Sequence, residues 1–154
     1  MVKAASSSGR ACVGISGYNY PRWRGPFYPP DLAARRWLEY ASRQFNSIEL
    51  NGTFYSLKSP TVFTRWYAAT PDDFVFAIKG SRFITHQLKL ARATVPLANL
   101  YASGVLALGR KTGPFLWQLP EMVRFDRDRL TAFLKLLPEG STECRLGCVR
   151  IFRQ

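Results

Sequence analysis

Four short apolar runs recur along the chain: ACVGIS at 11–16, SIELN at 47–51, FVFAIK at 74–79 and PFLWQL at 114–119. Roughly thirty to forty residues separate successive starts, the length of a strand with its crossover helix and loops. The runs are nearly continuous in apolar residues, the pattern of parallel strands buried on both faces. Helical patterns fill the gaps. In DLAARRWLEYASRQF, Leu38, Ala41 and Phe45 share a face beside Trp37, with Asp31 as the expected N-cap after Pro29-Pro30. In SPTVFTRWYAAT, Ser59 is placed to cap, Pro60 suits the first helical position, and Val62, Phe63, Trp66 and Tyr67 line one side. PLANLYASGVLAL is a weaker helix because Gly104 costs about 1 kcal/mol relative to alanine. In DRDRLTAFLKLLP, Asp126 caps, Leu130, Phe133, Leu134 and Leu137 face inward, and Pro138 is the stop.

Strict β-α alternation specifies a parallel sheet covered by helices, hence an α/β fold. Two architectures fit, an open doubly wound sheet and a (β/α) barrel. The doubly wound form with a dinucleotide site calls for G-x-G-x-x-G after the first strand, and GISGYNYPRW lacks that spacing. The barrel form is favoured by polar residues at each strand's C-terminal end: Ser16, then Glu49 and Asn51, then Lys79, then Gln118. That face holds the active site in barrels. The competing account is that strand ends are simply less buried.

Composition narrows the class. Apolar residues make up 47% of the 154-residue chain, which argues for a folded domain rather than disorder. No apolar stretch nears the roughly 20 residues that span a bilayer, and the polar start MVKAASSSGRA lacks the core of a secretory signal. Residues 1–11 are therefore expected to be an unstructured start. Cys12, Cys144 and Cys148 give no zinc spacing and no disulfide framework, so a reducing cytoplasm is the expected location. Lys and Arg outnumber Asp and Glu by 22 to 10, a formal charge of +12. That balance admits nucleic acid, phosphorylated compounds or a negatively charged surface as partners. No run of five basic residues forms a tail.

Four blocks, GISGYNYPRWRGPFYP, RRWLEYASRQFNSIELNGTFYSLKSP, FVFAIKGSRFITH and LGRKTGPFLWQLPEMVRFDRDRLTAFLKLLP, together resemble the YecE-like family, a domain of unknown function described as a TIM-type barrel. The resemblance runs from about Val13 to Pro138, with Tyr18 where the family more often has Trp. It implies a partial TIM-type barrel: about four βα units of an eight-stranded whole of roughly 250 residues. Residues 12–138 are expected to form the N-terminal half of that domain, and 139–154 a tail outside it. The family continues there into a fifth strand similar to A-F-E-F-R-H. A one-base shift of codons for Cys148-Val149-Arg150-Ile151 permits Ala-Phe-Glu-Phe, so out-of-frame translation is one expectation for the tail. A natural short variant is the other. An isolated half-barrel would expose two sheet edges and invite self-association.

The chemistry-bearing residues cluster at the strand ends. The first loop, SGYNYPRWRGPFYP, interleaves Tyr18, Tyr20, Trp23, Phe27 and Tyr28 with Arg22 and Arg24, which suits stacking and phosphate contact or a small core of the loop's own. With Leu50 against the helices, Glu49 and Asn51 point to the opposite face, and a carboxylate there needs a partner. Lys79 is the natural one, either as a tuned acid–base pair or as a structural plug. Tyr55 in NGTFY reaches the same mouth. In KGSRFITH, Gly80-Ser81 allows a turn whose N–H groups face an anion, with Arg82 and His86 on the following loop. Glu49, Lys79 and His86 are thus candidate catalytic residues. Ser16, Tyr18, Asn51, Tyr55, Arg82 and Gln118 are candidate ligand contacts. One histidine makes no metal site, and no P-loop, HExxH or EF-hand motif specifies a cofactor. Three readings follow: a barrel enzyme or binding protein for a small anion, a basic nucleic-acid-binding module, or a fragment without activity of its own.

Overall fold

The computed structural model describes residues 11–138 and the backbone of 149–153. Residues 1–10, most of the start expected to be unstructured, and 139–148, with Cys144 and Cys148, lie outside the described residues. Strands β1 (Gly14–Ser16), β2 (Ser47–Leu50), β3 (Val75–Lys79) and β4 (Thr112–Leu119) form one parallel sheet. A fifth strand, β5 (Val149–Arg153), pairs in parallel with β4 from Phe115↔Val149 to Leu119↔Arg153. The expected tail therefore contributes a strand. Its sequence VRIFR alternates residues of high β propensity with arginine, a signal that a search for continuous apolar runs passes over.

The sheet order is β1-β2-β3-β4-β5. Each strand lies beside its sequence neighbour, and the order never reverses. A doubly wound sheet has a reversal, and its ligands bind there. Helices α1 (Trp37–Gln44), α2 (Gly52–Tyr55), α3 (Pro60–Ala68), α4 (Thr94–Ala102) and α5 (Arg127–Leu134) connect or follow the strands.

Burial alternates along the strands, unlike the expected burial on both faces. Ile48, Leu50, Phe76, Ile78, Phe115 and Trp117 are buried in one cluster with Leu38 of α1, Phe63 and Trp66 of α3, Leu97 and Leu100 of α4 and Phe133 of α5. Each large side chain there contributes about 1.5–3 kcal/mol on leaving water. Residues of the opposite face are mostly half-buried or exposed: Ser16, Glu49, Ala77, Lys79, Leu116 and Gln118. Cross-strand register puts Ser16, Glu49 and Ala77 in one row, and Lys79 beside Leu116. The helices thus cover one face, and the chemistry-bearing side chains stand on the other.

Several local expectations need correction. Asp31 does not cap α1. A 3₁₀ turn (Ala34–Arg36) intervenes, and Trp37 opens the helix with its indole N–H donating to Leu32 O at 3.3 Å. Pro60 does open α3, but the Ser59 hydroxyl pairs with Thr61 Oγ1 at 2.8 Å instead of capping a backbone N–H. At Gly104 the third helical pattern divides. That residue takes φ 99° and has room only for hydrogen, because a Cβ would lie 2.6 Å from Pro60 Cα. Asp126 caps α5 as expected, accepting from Arg129 N at 3.0 Å. The helix ends at Leu134, four positions before Pro138, and Leu134 is 43% exposed rather than inward.

Candidate functional site

A cavity of about 450 Å³ opens at the C-terminal ends of β1, β2 and β3. Tyr18, Asn19 and Tyr20 line it from the first loop, Glu49 and Asn51 from the end of β2, Phe54 and Tyr55 from α2, Lys58 from the next loop, Trp66 from α3 and Lys79 from β3.

Thr53 joins the two strand ends beneath the cavity. It is 1% exposed, and its hydroxyl lies 2.7 Å from both Leu50 O and Lys79 O. Gly17 N donates to Glu49 O at 2.9 Å and binds the first loop to β2. Gly17 takes φ 77°, a left-handed conformation that suits glycine.

The loop's aromatics divide between two tasks. Trp23, Phe27 and Tyr28 pack inward, Tyr28 stacking on Trp37 with ring centroids 4.7 Å apart. The Tyr28 hydroxyl donates to Tyr18 O at 2.6 Å, and its pKa is pushed up to about 12, first by burial and then by the neighbouring tyrosines. Tyr18 and Tyr20 line the cavity, Tyr18 while also packing against the core. The Tyr20 hydroxyl donates to Ser16 O at 2.7 Å. Burial raises the Tyr18 pKa, against a lowering hydrogen bond from Trp66. Arg22 and Arg24 stand over rings of the protein itself, Tyr20 at 5.9 Å and Trp37 at 5.6 Å.

Glu49 and Lys79 line one cavity but form no ion pair, contrary to the expected partnership. Glu49 Oε1 accepts from Ser16 Oγ at 3.0 Å, and Ser16 Oγ accepts from Asn51 Nδ2 at 2.9 Å. The ammonium of Lys79 lies 5.0 Å from the Phe54 ring centroid. A side-chain ring on α2 takes the place of the carboxylate two strand positions away.

KGSRFITH is likewise only partly as expected. Gly80 N donates to Leu116 O at 2.9 Å, so it offers nothing to an anion. The glycine is required by packing: a Cβ would lie 2.3 Å from Trp117 Cε3. The segment after Arg82 is a π-helical turn (Phe83–Gln87), not a loop. His86 Nδ1 sits 2.9 Å from Thr85 Oγ1, and the imidazole meets Phe54 edge-on at 5.2 Å. Its pKa lies below the ordinary histidine range, chiefly through burial and then through Arg82 and Lys79.

Of the expected residues, Tyr18, Glu49, Asn51, Tyr55 and Lys79 line the cavity, and Ser16 braces two of them. His86 stands behind Phe54 and outside the lining, Arg82 is exposed beside it, and Gln118 lies farther along the open sheet face. Sequence patterning named Tyr20 only among the loop's aromatics, and it missed Phe54, Lys58 and the double role of Trp66. Lys58, three residues after the aromatic NGTFY segment, was the most accessible signal. Its Nζ donates to Ser56 Oγ at 2.7 Å, and no carboxylate among the described residues pairs with it.

Among the described residues, no helix is long and apolar enough to cross a membrane. The UPF0759 protein YecE of Escherichia coli K12 is 33% identical over 108 residues, which are 70% of this chain and 37% of that protein. The UPF0759 protein YunF of Bacillus subtilis 168 is 29% identical over 76 residues, 49% of this chain and 26% of the relative. The chain thus spans well under half the length of the curated relatives it matches. A crystal structure of a DUF72 family protein from Thermotoga maritima superposes with a TM-score of 0.71 at 25% identity, over 92% of this chain and 55% of that one. A second DUF72 family structure, from Enterococcus faecalis, shares the fold with a TM-score of 0.56 at 15% identity. The family model described as "Protein of unknown function DUF72" matches residues 12–146, and the chain belongs to that family.

Proposed function

We propose that this chain supplies the first strands of a TIM-type (β/α) barrel and that their C-terminal ends bind a small anionic molecule. The unreversed strand order and the confinement of helices to one sheet face support the barrel. The half-buried opposite face is then the barrel interior. The remaining strands meet the sheet along both edges, β1, which pairs only with β2, and β5, which pairs only with β4, among the described residues.

One observation carries the anion site. Lys58 and Lys79 both line the cavity, and neither has a carboxylate within ion-pairing distance among the described residues. The two ammonium groups of the lining outnumber its one carboxylate, Glu49, and attract an anion from solution. Arg82 adds positive charge beside His86, outside the lining. Glu49 is the group best placed to move a proton, because it lines the cavity and His86 does not.

The nucleic-acid alternative draws on the formal charge of +12. Its Arg/aromatic loop offers less than the sequence promised, since Trp23, Phe27 and Tyr28 face inward and both arginines stack on the protein's own rings. Titration of the full chain with inorganic phosphate, followed by calorimetry, tests the proposal. Saturable binding should weaken about tenfold in Lys79→Met, the loss of one charge-assisted contact, and persist in Arg22→Ala. Absence of saturable binding, or equal binding by Lys79→Met, would overturn it. Steep salt dependence together with loss in Arg22→Ala would favour the nucleic-acid reading.

A further inference from the structure

The cavity presents acceptors as well as cations, and together they define a class of ligand. This step rests on the anion site proposed above. The Asn51–Ser16–Glu49 chain of hydrogen bonds, at 2.9 and 3.0 Å, holds one oxygen of the Glu49 carboxylate. Among the described residues the second oxygen has no partner. An ionised carboxylate only accepts, so a ligand completing it must bring a donor. Beside it, Asn51 Oδ1 is buried and also lacks a partner among the described residues. A buried acceptor left unmet costs stability, which a second donor would recover. Ser16 and Glu49 are paired across β1 and β2, and Asn51 stands between β2 and α2, so the acceptors are fixed before any ligand arrives.

The other walls supply two more requirements. Lys58 and Lys79 ask for negative charge. Tyr18, Tyr20, Phe54 and Tyr55 offer ring surface to C–H groups. Neighbouring hydroxyls, an apolar C–H face and an anionic group occur together in a sugar phosphate. An α-amino acid would also pair its ammonium with Glu49 and its carboxylate with a lysine. It would leave most of a cavity of about 450 Å³ unfilled, whereas ligand sites enclose most of their ligand's surface.

We infer that the site takes a phosphorylated polyhydroxy compound of sugar-phosphate size, with hydroxyls on Glu49 and Asn51 and the phosphate on Lys58 and Lys79. Calorimetry on the full chain compares ribose 5-phosphate with n-pentyl phosphate, which keeps the phosphate and the chain length but has no hydroxyls. Ribose 5-phosphate should bind at least about tenfold more tightly, the worth of hydrogen bonds to a charged group. Glu49→Gln should close most of that gap, and Lys79→Met should weaken both ligands alike. Ser16→Ala, at an exposed strand end, is the companion variant should Glu49→Gln lose its native near-ultraviolet dichroism. It should narrow the gap by releasing the carboxylate. Equal affinity for the two phosphates in the parent chain would overturn the sugar inference and leave the anion site standing. So would an unchanged gap in a folded Glu49→Gln or Ser16→Ala chain. Failure of both compounds and of inorganic phosphate to bind would overturn both.

Discussion

Two lysines at opposite ends of neighbouring strands show how differently the same side chain is used in this molecule. Lys79 closes β3 at its C-terminal end, half-buried, with its ammonium over the Phe54 ring and no hydrogen-bond or ion-pair partner for that ammonium among the described residues. Lys111 immediately precedes β4 at the N-terminal end and is 1% exposed. Its ammonium donates to Tyr67 O at 2.6 Å, Thr70 O at 2.7 Å and Thr70 Oγ1 at 3.2 Å, and it lies 4.2 Å from the Tyr67 ring centroid. Burial pushes its pKa down, yet the oxygens around it use the three donors an ammonium has. Lys111 is a finished structural latch between the end of α3 and the start of β4. Lys79 is unfinished: it lines the cavity, and no carboxylate among the described residues pairs with it.

The largest expected effect lies at the finished lysine. Lys111→Met removes the donor from three oxygens in the protein interior and should cost about 3 kcal/mol, read as a fall in the urea midpoint. Lys79→Met, treated the same way, should stay within about 0.5 kcal/mol, because it breaks no hydrogen bond. Equal losses would erase the distinction between the two. Next in size is Gly80→Ala. The added Cβ meets the buried Trp117 ring at 2.3 Å, and the overpacking should cost about 2 kcal/mol. An unchanged midpoint would show that Gly80 serves the turn alone.

Lys111 was invisible in the sequence because its acceptors are backbone carbonyls and a threonine some forty residues away, which no local pattern announces. Lys79 was visible because it ends an apolar run, and the period of a strand then decides its face. The same logic found Glu49 and Asn51, and the polar end of the first apolar run found Ser16, whose place beside Glu49 only the strand register shows. What failed was pairing. Charge complementarity matched Glu49 with Lys79, but Ser16 occupies the one and Phe54 faces the other. The aromatic of a four-residue helix is not readable as a lysine's partner from spacing. Gly80 failed for a related reason: a glycine after a strand suggests a turn, whereas this one answers a tryptophan thirty-seven positions on. Strand existence was legible from apolar content. The fifth strand was not, because its arginines interrupt the run.

The smallest effect sharpens the comparison most finely, because the chain has a single histidine and its titration can be followed without ambiguity. The pKa of His86 should lie below the ordinary value of about 6.5, since burial and the charges of Arg82 and Lys79 disfavour the imidazolium. Proton NMR of the imidazole should show that value rising in Lys79→Met and in Arg82→Ala, and staying put in a folded Lys111 variant. The sign for stability follows from proton counting. Between the folded pKa and about 6.5 the unfolded chain binds more protons than the folded one, so stability rises with pH across that window. The contribution is complete above about 6.5 and lost as pH falls through the folded value. Phosphate bound at Lys79 should also lift the His86 pKa by offsetting the ammonium, which makes the imidazole a reporter of the neighbouring site. A pKa that ignores both phosphate and Lys79→Met would mean that the Phe54 ring screens the two groups, and would separate His86 from the anion site altogether.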